Sequence, residues 1–445
     1  MLSPQKSAPF VTWTAPFVED GDFTPQDPLA VDYLNQQVGL WLFPGLTTRT
    51  QRPQYYAMVL YGLALVEEAI RHYGEPNDDR TRVALFERWE RLWALGVLEH
   101  HGGRLARGHL DAMRGIRGVT RAWRGGEGPL PLDYSLIGRQ NELGALGAYL
   151  SSLRHYRLVV RGDYRITPLA EEIVAAFWSD DVERISPLHQ LALTALDRTK
   201  DRIPRKVGRA SLAGLGRRAR LTSLVEGQRT AQQGRLYDRL FAEAPDPTTH
   251  PLSLLVEAAA KDEVTDSETL LRHAMEPRWG ELDDALRDLL AFAIAYGDAA
   301  RLSLEAFNRV YDSVLRRGWV APSAEVVEDA FDAELLTAWR DAASAFLDAP
   351  LVGRFRNLPV HAASLARLLG EVARGMTPPQ LLEALLDHHT QVQTDRHTIR
   401  WLRREGDRLV ADLTRYRGHR AEAAFPDFKL GVVRRLLIDC GRLPS

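Results

Sequence analysis

Residues 138–178 read GRQNELGALGAYLSSLRHYRLVVRGDYRITPLAEEIVAAFW, and the changes of period inside this run set the fold expected of the region. Leu143, Leu146, Leu150 and Leu153 recur at i, i+3, i+7 and i+10, the stripe of an amphipathic helix. Asn141, Gly144, Ala145, Ala148 and Ser152 keep the opposite side low and polar, suited to close approach by another surface. The pattern then shortens. Arg157 to Val160 reads as a strand, Arg161-Gly162-Asp163 as a tight turn, and Tyr164 to Thr167 as the returning strand. Pro168 is suited to a first helical position, with Thr167 as N-cap and Leu169, Ile173 and Phe177 facing inward.

Helix, strand, turn, strand, helix is the order of a winged helix, and the residues resemble those of bacterial winged-helix proteins. In that family a recognition helix is followed by a Gly-Leu-Val segment, a short wing and a Leu-Thr-Pro-Leu-Gly segment. This chain has Tyr156-Arg157-Leu158-Val159 and Arg165-Ile166-Thr167-Pro168-Leu169-Ala170, departing at Ala170, which is harmless inside a helix. The resemblance implies that the helix Arg139 to Arg154 lies in the major groove with Arg139, Gln140 and Asn141 nearest the base edges. It also implies that Arg161 and Arg165 of the wing reach the phosphate backbone. A winged helix also serves as a packing or dimerisation unit inside larger proteins, so the protein-binding alternative stays open.

Outward from this run, helical patterns dominate a chain of 445 residues, 45% hydrophobic and 26% charged. The fold class expected is mainly α, a multi-helical protein with an embedded winged helix-turn-helix and a few short strands. Four regions are expected: 1–128, helical with an extended arm to about Asp27; 129–185, the winged helix; 186–350, helical; and 351–445, helical with short strands. Helices are expected near Gln54 to Tyr73 and from Asp79, the latter with an aromatic face of Phe86, Trp89 and Trp93. Further ones fall at Leu282 to Tyr296, Leu304 to Leu315, Ala324 to Phe346, His361 to Arg374 and Pro378 to Leu386. A short hairpin or strand is expected at Arg408 to Leu413 and a last helix at Lys429 to Cys440.

The net charge of −2 hides a segregated distribution. Residues 1–100 carry −5, 101–240 carry +10, 241–350 carry −13 and 351–445 carry +6. The densest basic stretch, Arg198 to Arg220, opposes nine cations to the single acid Asp201. Guanidiniums gathered on one face neutralise phosphates and release counterions, which gives sequence-independent affinity that falls with salt. Arg205, Lys206, Arg209, Arg217, Arg218 and Arg220 therefore join Arg139, Gln140, Asn141, Arg154, Arg161 and Arg165 as the candidate nucleic-acid-binding set. The competing reading pairs this stretch with the chain's own acidic block. Arg104, Arg107, Arg114, Arg117, Arg121 and Arg124 form another basic patch among glycines that admit close backbone approach.

No G-x-x-x-x-G-K-[ST], H-E-x-x-H or G-x-S-x-G motif occurs, and no G-x-G-x-x-G follows a clear strand. His388, His389, Asp395 and His397 cluster in sequence, but adjacent histidines on a helix diverge, so neither metal nor cofactor is expected. His388, His389 and Asp395 remain the first suspects should an unrecognised active site exist. The lone Cys440 fits a reducing, cytoplasmic setting, and no apolar run is long enough to cross a membrane. Residues 43–56, FPGLTTRTQRPQYY, resemble an N-terminal motif of uncharacterised bacterial proteins often met near phage-defence genes. Thr47, Thr48, Arg49 and Arg52 are either phosphate ligands or, on the favoured reading, caps and ion-pair partners. The function expected is non-catalytic DNA binding in a bacterial defence or regulatory system, with protein partners in a complex; the alternative is a scaffold or adaptor.

Overall fold

A computed structural model describes residues 27–104, 114–123, 128–178, 182–218, 231–276, 282–413 and 422–444, without the side chains of 182–186 and 217–218. The protein is mainly helical with a few short strands, as the periodicities predict. The extended arm before Asp27 lies outside the described residues. Among the described residues no helix is long and apolar enough to cross a membrane. The chain divides into two compact units, 33–297 with 349–351 and 425–445, and 1–32 with 298–348 and 352–424.

Helix α1 (Val31–Leu42), which from Tyr33 belongs to the larger unit, leads there into α2 (Pro53–Tyr73) and α3 (Asp79–His100). Gly74 ends α2 in the left-handed conformation, its N–H bonded to the Ile70 carbonyl, and the Asp78 carboxylate caps α3 at Thr81 N, 2.7 Å away. The aromatic face of α3 is buried as expected: Phe86, Trp89 and Trp93 are in the core, and Trp89 Nε1 donates to the Met58 carbonyl at 3.0 Å. After α4 (Ile116–Ala122) and β1 (Leu130–Pro131), the helix expected from Arg139 to Arg154 is broken at Gly144. It consists of α5 (Gln140–Leu143) and α6 (Ala145–His155).

The side of α6 that is low in sequence is the buried one. Ala145, Ala148 and Ser152 pack inward with Tyr149; Ser152 Oγ lies 2.6 Å from the Tyr56 hydroxyl, and Tyr149 meets Tyr55 and Tyr56 at ring distances of 5.3 and 4.9 Å. The small side chains give α2 its close approach, so the leucine stripe is only partly the core face: Leu146 and Leu153 are buried, Leu143 and Leu150 half-buried. Next comes the hairpin, reduced to one antiparallel bridge, Val159 to Ile166, with Val160 N donating to Arg165 O and Thr167 N to Leu158 O. Gly162 turns it at φ 78°. Helix α7 (Pro168–Ala175) follows with Pro at its start, but the Thr167 hydroxyl does not cap it. That hydroxyl donates to the Arg157 carbonyl at 2.7 Å and closes the hairpin base instead.

Helix α8 (Val182–Leu196) precedes three short strands, β2 (Arg202–Ile203), β3 (Lys206–Val207) and β4 (Ala210–Ser211), then α9 (Leu212–Arg218). β1 pairs with β2, and β3 with β4, both antiparallel. The unit continues through α10 (Ala231–Tyr237), α11 (Thr249–Lys261) and α12 (Ser267–Ala274), and it includes the C-terminal helix Leu430–Asp439. Cys440, just after that helix, is buried.

Helix α13 (Asp284–Arg316) is one helix where two were expected; its residues to Gly297 belong to the larger unit and the rest to the smaller. A glycine inside a helix costs about 1 kcal/mol relative to alanine. Here the bare backbone of Gly297 is covered by the Phe425 ring, an approach that a side chain would block. In the smaller unit the reverse occurs. The expected helix Ala324 to Phe346 is two, α14 (Ser323–Ala330) and α15 (Ala333–Asp348), because Asp332 leaves the helix to accept from Leu335 N at 2.7 Å and to bind Arg309 at 2.6 Å. Helices α16 (Val352–Arg356), α17 (Ala362–Ala373) and α18 (Pro378–Asp395) follow, with α18 running nine residues beyond its expected end at Leu386. The expected strand at 408–413 is β7 (Arg408–Ala411), central in an antiparallel sheet between β5 (Val320–Pro322) and β6 (Leu402–Glu405).

Candidate nucleic-acid interface

The break at Gly144 has an identifiable cause on α3. Glu90, 2% exposed, directs its carboxylate at the start of α6: Oε1 accepts from Ala145 N at 2.6 Å and Oε2 from Gln140 Nε2 at 2.8 Å. A Cβ at Gly144 would run into the Gln140 carbonyl oxygen and stand 2.8 Å from Glu90 Oε2, so glycine leaves room for the turn and its cap. Burial pushes the Glu90 carboxyl up to about 7, against the opposing pull of the hydrogen bonds from Ala145 and Gln140.

This arrangement decides where the candidate base-reading residues lie. Gln140 is buried and spent within the protein, donating also to the Glu87 carbonyl at 3.1 Å and accepting from Arg91 Nε at 3.1 Å. Arg139 and Asn141 are exposed, and Arg139 pairs with Glu142 at 3.1 Å. Arg154 faces the hairpin: its Nη2 donates to the Asp163 carbonyl at 2.8 Å and its guanidinium stands 5.9 Å from the Tyr164 ring centroid. It braces the turn from α6. Arg165 is 60% exposed and pairs with Asp163 at 2.6 Å. Burial alone would raise Asp163, but hydrogen bonds from the Arg165 side chain and the Tyr164 and Arg165 amides hold it below the usual carboxylate value. Arg161 is exposed at the turn with no carboxylate partner among the described residues. Arg157, which sequence reasoning left out, is also exposed and sits at the hairpin base with φ 58°.

The Arg198 to Arg220 stretch is not a uniform face. Arg205 is tied down by Glu99 and by the Gly128 carbonyl at 3.0 Å, and its guanidinium covers the Trp123 ring at 5.6 Å. Lys206 on β3 and Arg209 in the β3–β4 turn are exposed. Arg217 and Arg218 end α9 with side chains outside the described residues, and Arg220 lies outside them altogether. Part of the stretch is neutralised from elsewhere in the same unit: Arg198 pairs with Glu75 at 3.1 Å and Lys200 with Asp197 at 3.4 Å.

Two other sequence features have structural employment. His388 Nε2 lies 3.1 Å from the Leu29 carbonyl and His389 Nδ1 lies 2.9 Å from that of Pro28. A carbonyl only accepts, so each of these nitrogens carries the proton. His388 Nδ1 then accepts from the Ser364 hydroxyl at 2.9 Å and His389 Nε2 from Trp401 N at 3.0 Å. Burial lowers both imidazoles to about 4, which keeps them neutral. Among the described residues no group of three or more His, Cys, Asp or Glu is placed to hold a metal ion. The 43–56 run is lashed to the C-terminal helix and the residues before it. Arg52 Nη1 reaches both Asp439 oxygens at 3.0 and 2.9 Å, and Lys429 Nζ donates to the Leu46 carbonyl at 2.8 Å. Thr50 Oγ1 bonds back to Thr47.

Compared with protein-family models, curated proteins and solved structures, the chain matches none of them.

Proposed function

We propose that the protein binds DNA without catalysing a reaction, using the helix–hairpin–helix of 145–175 as a winged helix whose turn contacts the phosphate backbone. The observation that carries this reading is the display of Arg157, Arg161 and Arg165 on one short hairpin that Arg154 and Thr167 hold in shape. Exposed guanidiniums on a braced turn suit phosphate oxygens, which accept from planar forks at little ordering cost. With Gln140 buried, base contact is left to Arg139 and Asn141, so affinity is dominated by backbone contacts and depends little on sequence. Lys206 and Arg209 on the β3–β4 turn add to the same electrostatic attraction.

The test is fluorescence anisotropy with a random 20-base-pair duplex at 50 and 200 mM salt. Binding should weaken as salt rises, and Arg161→Ala with Arg165→Ala should lower the affinity and flatten the log–log slope by about 2, close to 0.9 for each phosphate no longer neutralised. Absence of duplex binding, or binding with no salt slope, refutes this reading and favours the scaffold, in which the hairpin contacts protein.

A further inference from the structure

Two arginine-rich segments that the sequence keeps far apart converge in the larger unit. Pairing of β1 with β2 sets Leu130 opposite Ile203 and Pro131 opposite Arg202. The ribbon thereby brings the stretch after Arg198 alongside α4, and a groove of about 640 Å³ is lined from both. Arg121 of α4, Arg202 of β2 and Arg205 stand on its wall with Tyr134, Ser135 and the backbone of Gly118 and Gly128. The volume is that of a site for a small organic ligand, which commonly occupies 300–1,000 Å³.

The three cations are differently employed. Arg205 is fixed by Glu99, the Gly128 carbonyl and the Trp123 ring. Among the described residues Arg121 spends only its Nε, on the Arg117 carbonyl at 3.2 Å, and Arg202 only one Nη, on the Pro129 carbonyl at 2.8 Å. Neither meets a carboxylate among the described residues, and no described acidic side chain lines the groove. Arg121 and Arg202, with no described carboxylate partner, repel one another, and an anion seated between them reverses that cost. The placement is also sterically fixed. A Cβ at Gly118 would run into the Ser135 and Leu136 carbonyls, with the Leu136 carbonyl carbon 2.7 Å away, so glycine lets α4 sit flush against this loop with Arg121 at the groove.

We propose that this groove binds a nucleotide by its phosphate, with Arg121 and Arg202 as phosphate ligands, Arg205 as a positioning residue and the Tyr134 ring available to a base. The phosphate belongs to a free nucleotide or to the 5′ end of a DNA strand. The proposal does not rest on duplex binding by the hairpin, which uses other residues. Its test is isothermal titration of the full chain with ATP and, in separate arms, with 5′-phosphorylated and 5′-hydroxyl single-stranded dodecamers. Saturable binding is expected, weakened about 10-fold or more by Arg121→Ala or Arg202→Ala and largely kept in Arg202→Lys. A response to ATP assigns the free nucleotide, and preference for the 5′-phosphorylated strand assigns the strand end. No saturable binding of any probe, or binding that Arg121→Ala and Arg202→Ala leave unchanged, overturns the site. Both side chains are exposed, and circular dichroism of each variant verifies that the fold is kept. Loss of duplex binding with ATP binding intact would sink only the hairpin reading.

Discussion

Glu90 makes the junction of α5 and α6 dependent on pH in a calculable way. The carboxyl is buried on α3, holds Ala145 N and the Gln140 amide, and is raised by burial from 4.5 to about 7. Between these values the folded protein binds a proton that the unfolded chain has released, so stability falls as pH rises through this window. At 1.36 kcal/mol per pH unit the loss across it is roughly 3 kcal/mol. Glu90→Gln keeps the shape and removes the ionisation. Its amide oxygen still accepts from Ala145 N, but its NH2 meets the Gln140 donor, a pH-independent cost of about 1–2 kcal/mol. The variant should therefore be less stable than the parent near pH 4.5 and more stable near pH 8. The two differences should lie about 3 kcal/mol apart in urea unfolding followed by circular dichroism. Subtracting the variant from the parent removes the titration of every other group. A difference that stays constant from pH 4.5 to 8 would refute the assignment of Glu90 as a carboxylate that loses stability on ionising.

Three further outcomes are expected. Burial lowers the Lys429 ammonium from 10.5 to about 7, so the folded state sheds its proton first and stability rises with pH between those values. Lys429→Met should gain about 2–4 kcal/mol near pH 6, after losing the Leu46 hydrogen bond, and the gain should vanish by pH 10 in the same unfolding assay. Arg52→Ala strands Asp439 in a buried setting and should cost about 3–5 kcal/mol, most of it restored by adding Asp439→Asn; a double-mutant cycle measures the coupling. Gly144→Ala should displace the Glu90 cap and cost about 1–3 kcal/mol, read as a lower melting temperature, and an unchanged melt would show that the cap contributes nothing.

Much of the secondary structure was legible in the run of residues because local period and turn chemistry report it directly. The helices beginning near Pro53, Asp79 and Pro168 and the turn at Gly162 all start or bend where capping, proline or glycine signals stand. Two of the misjudged boundaries share one cause. Gly297 reads as a break but is covered by Phe425, and Asp332 reads as helix but is drawn out by Arg309 and the Leu335 amide. In each case a partner distant in sequence outweighs a local preference of about 1 kcal/mol.

What the sequence by itself determined is the helical class, the arginine-bearing hairpin and the segregation of charge, since each follows from neighbours within a few positions. Only the tertiary structure decided which polar groups remain for a ligand. Glu90 withdraws Gln140 from the surface, Glu99 ties down Arg205, Asp439 claims Arg52, and the β1–β2 ribbon brings Arg202 to Arg121. A side chain's chemistry is written in the sequence. Whether that side chain is already spent depends on charges and hydrogen-bond partners delivered by chain closure, which no local pattern encodes.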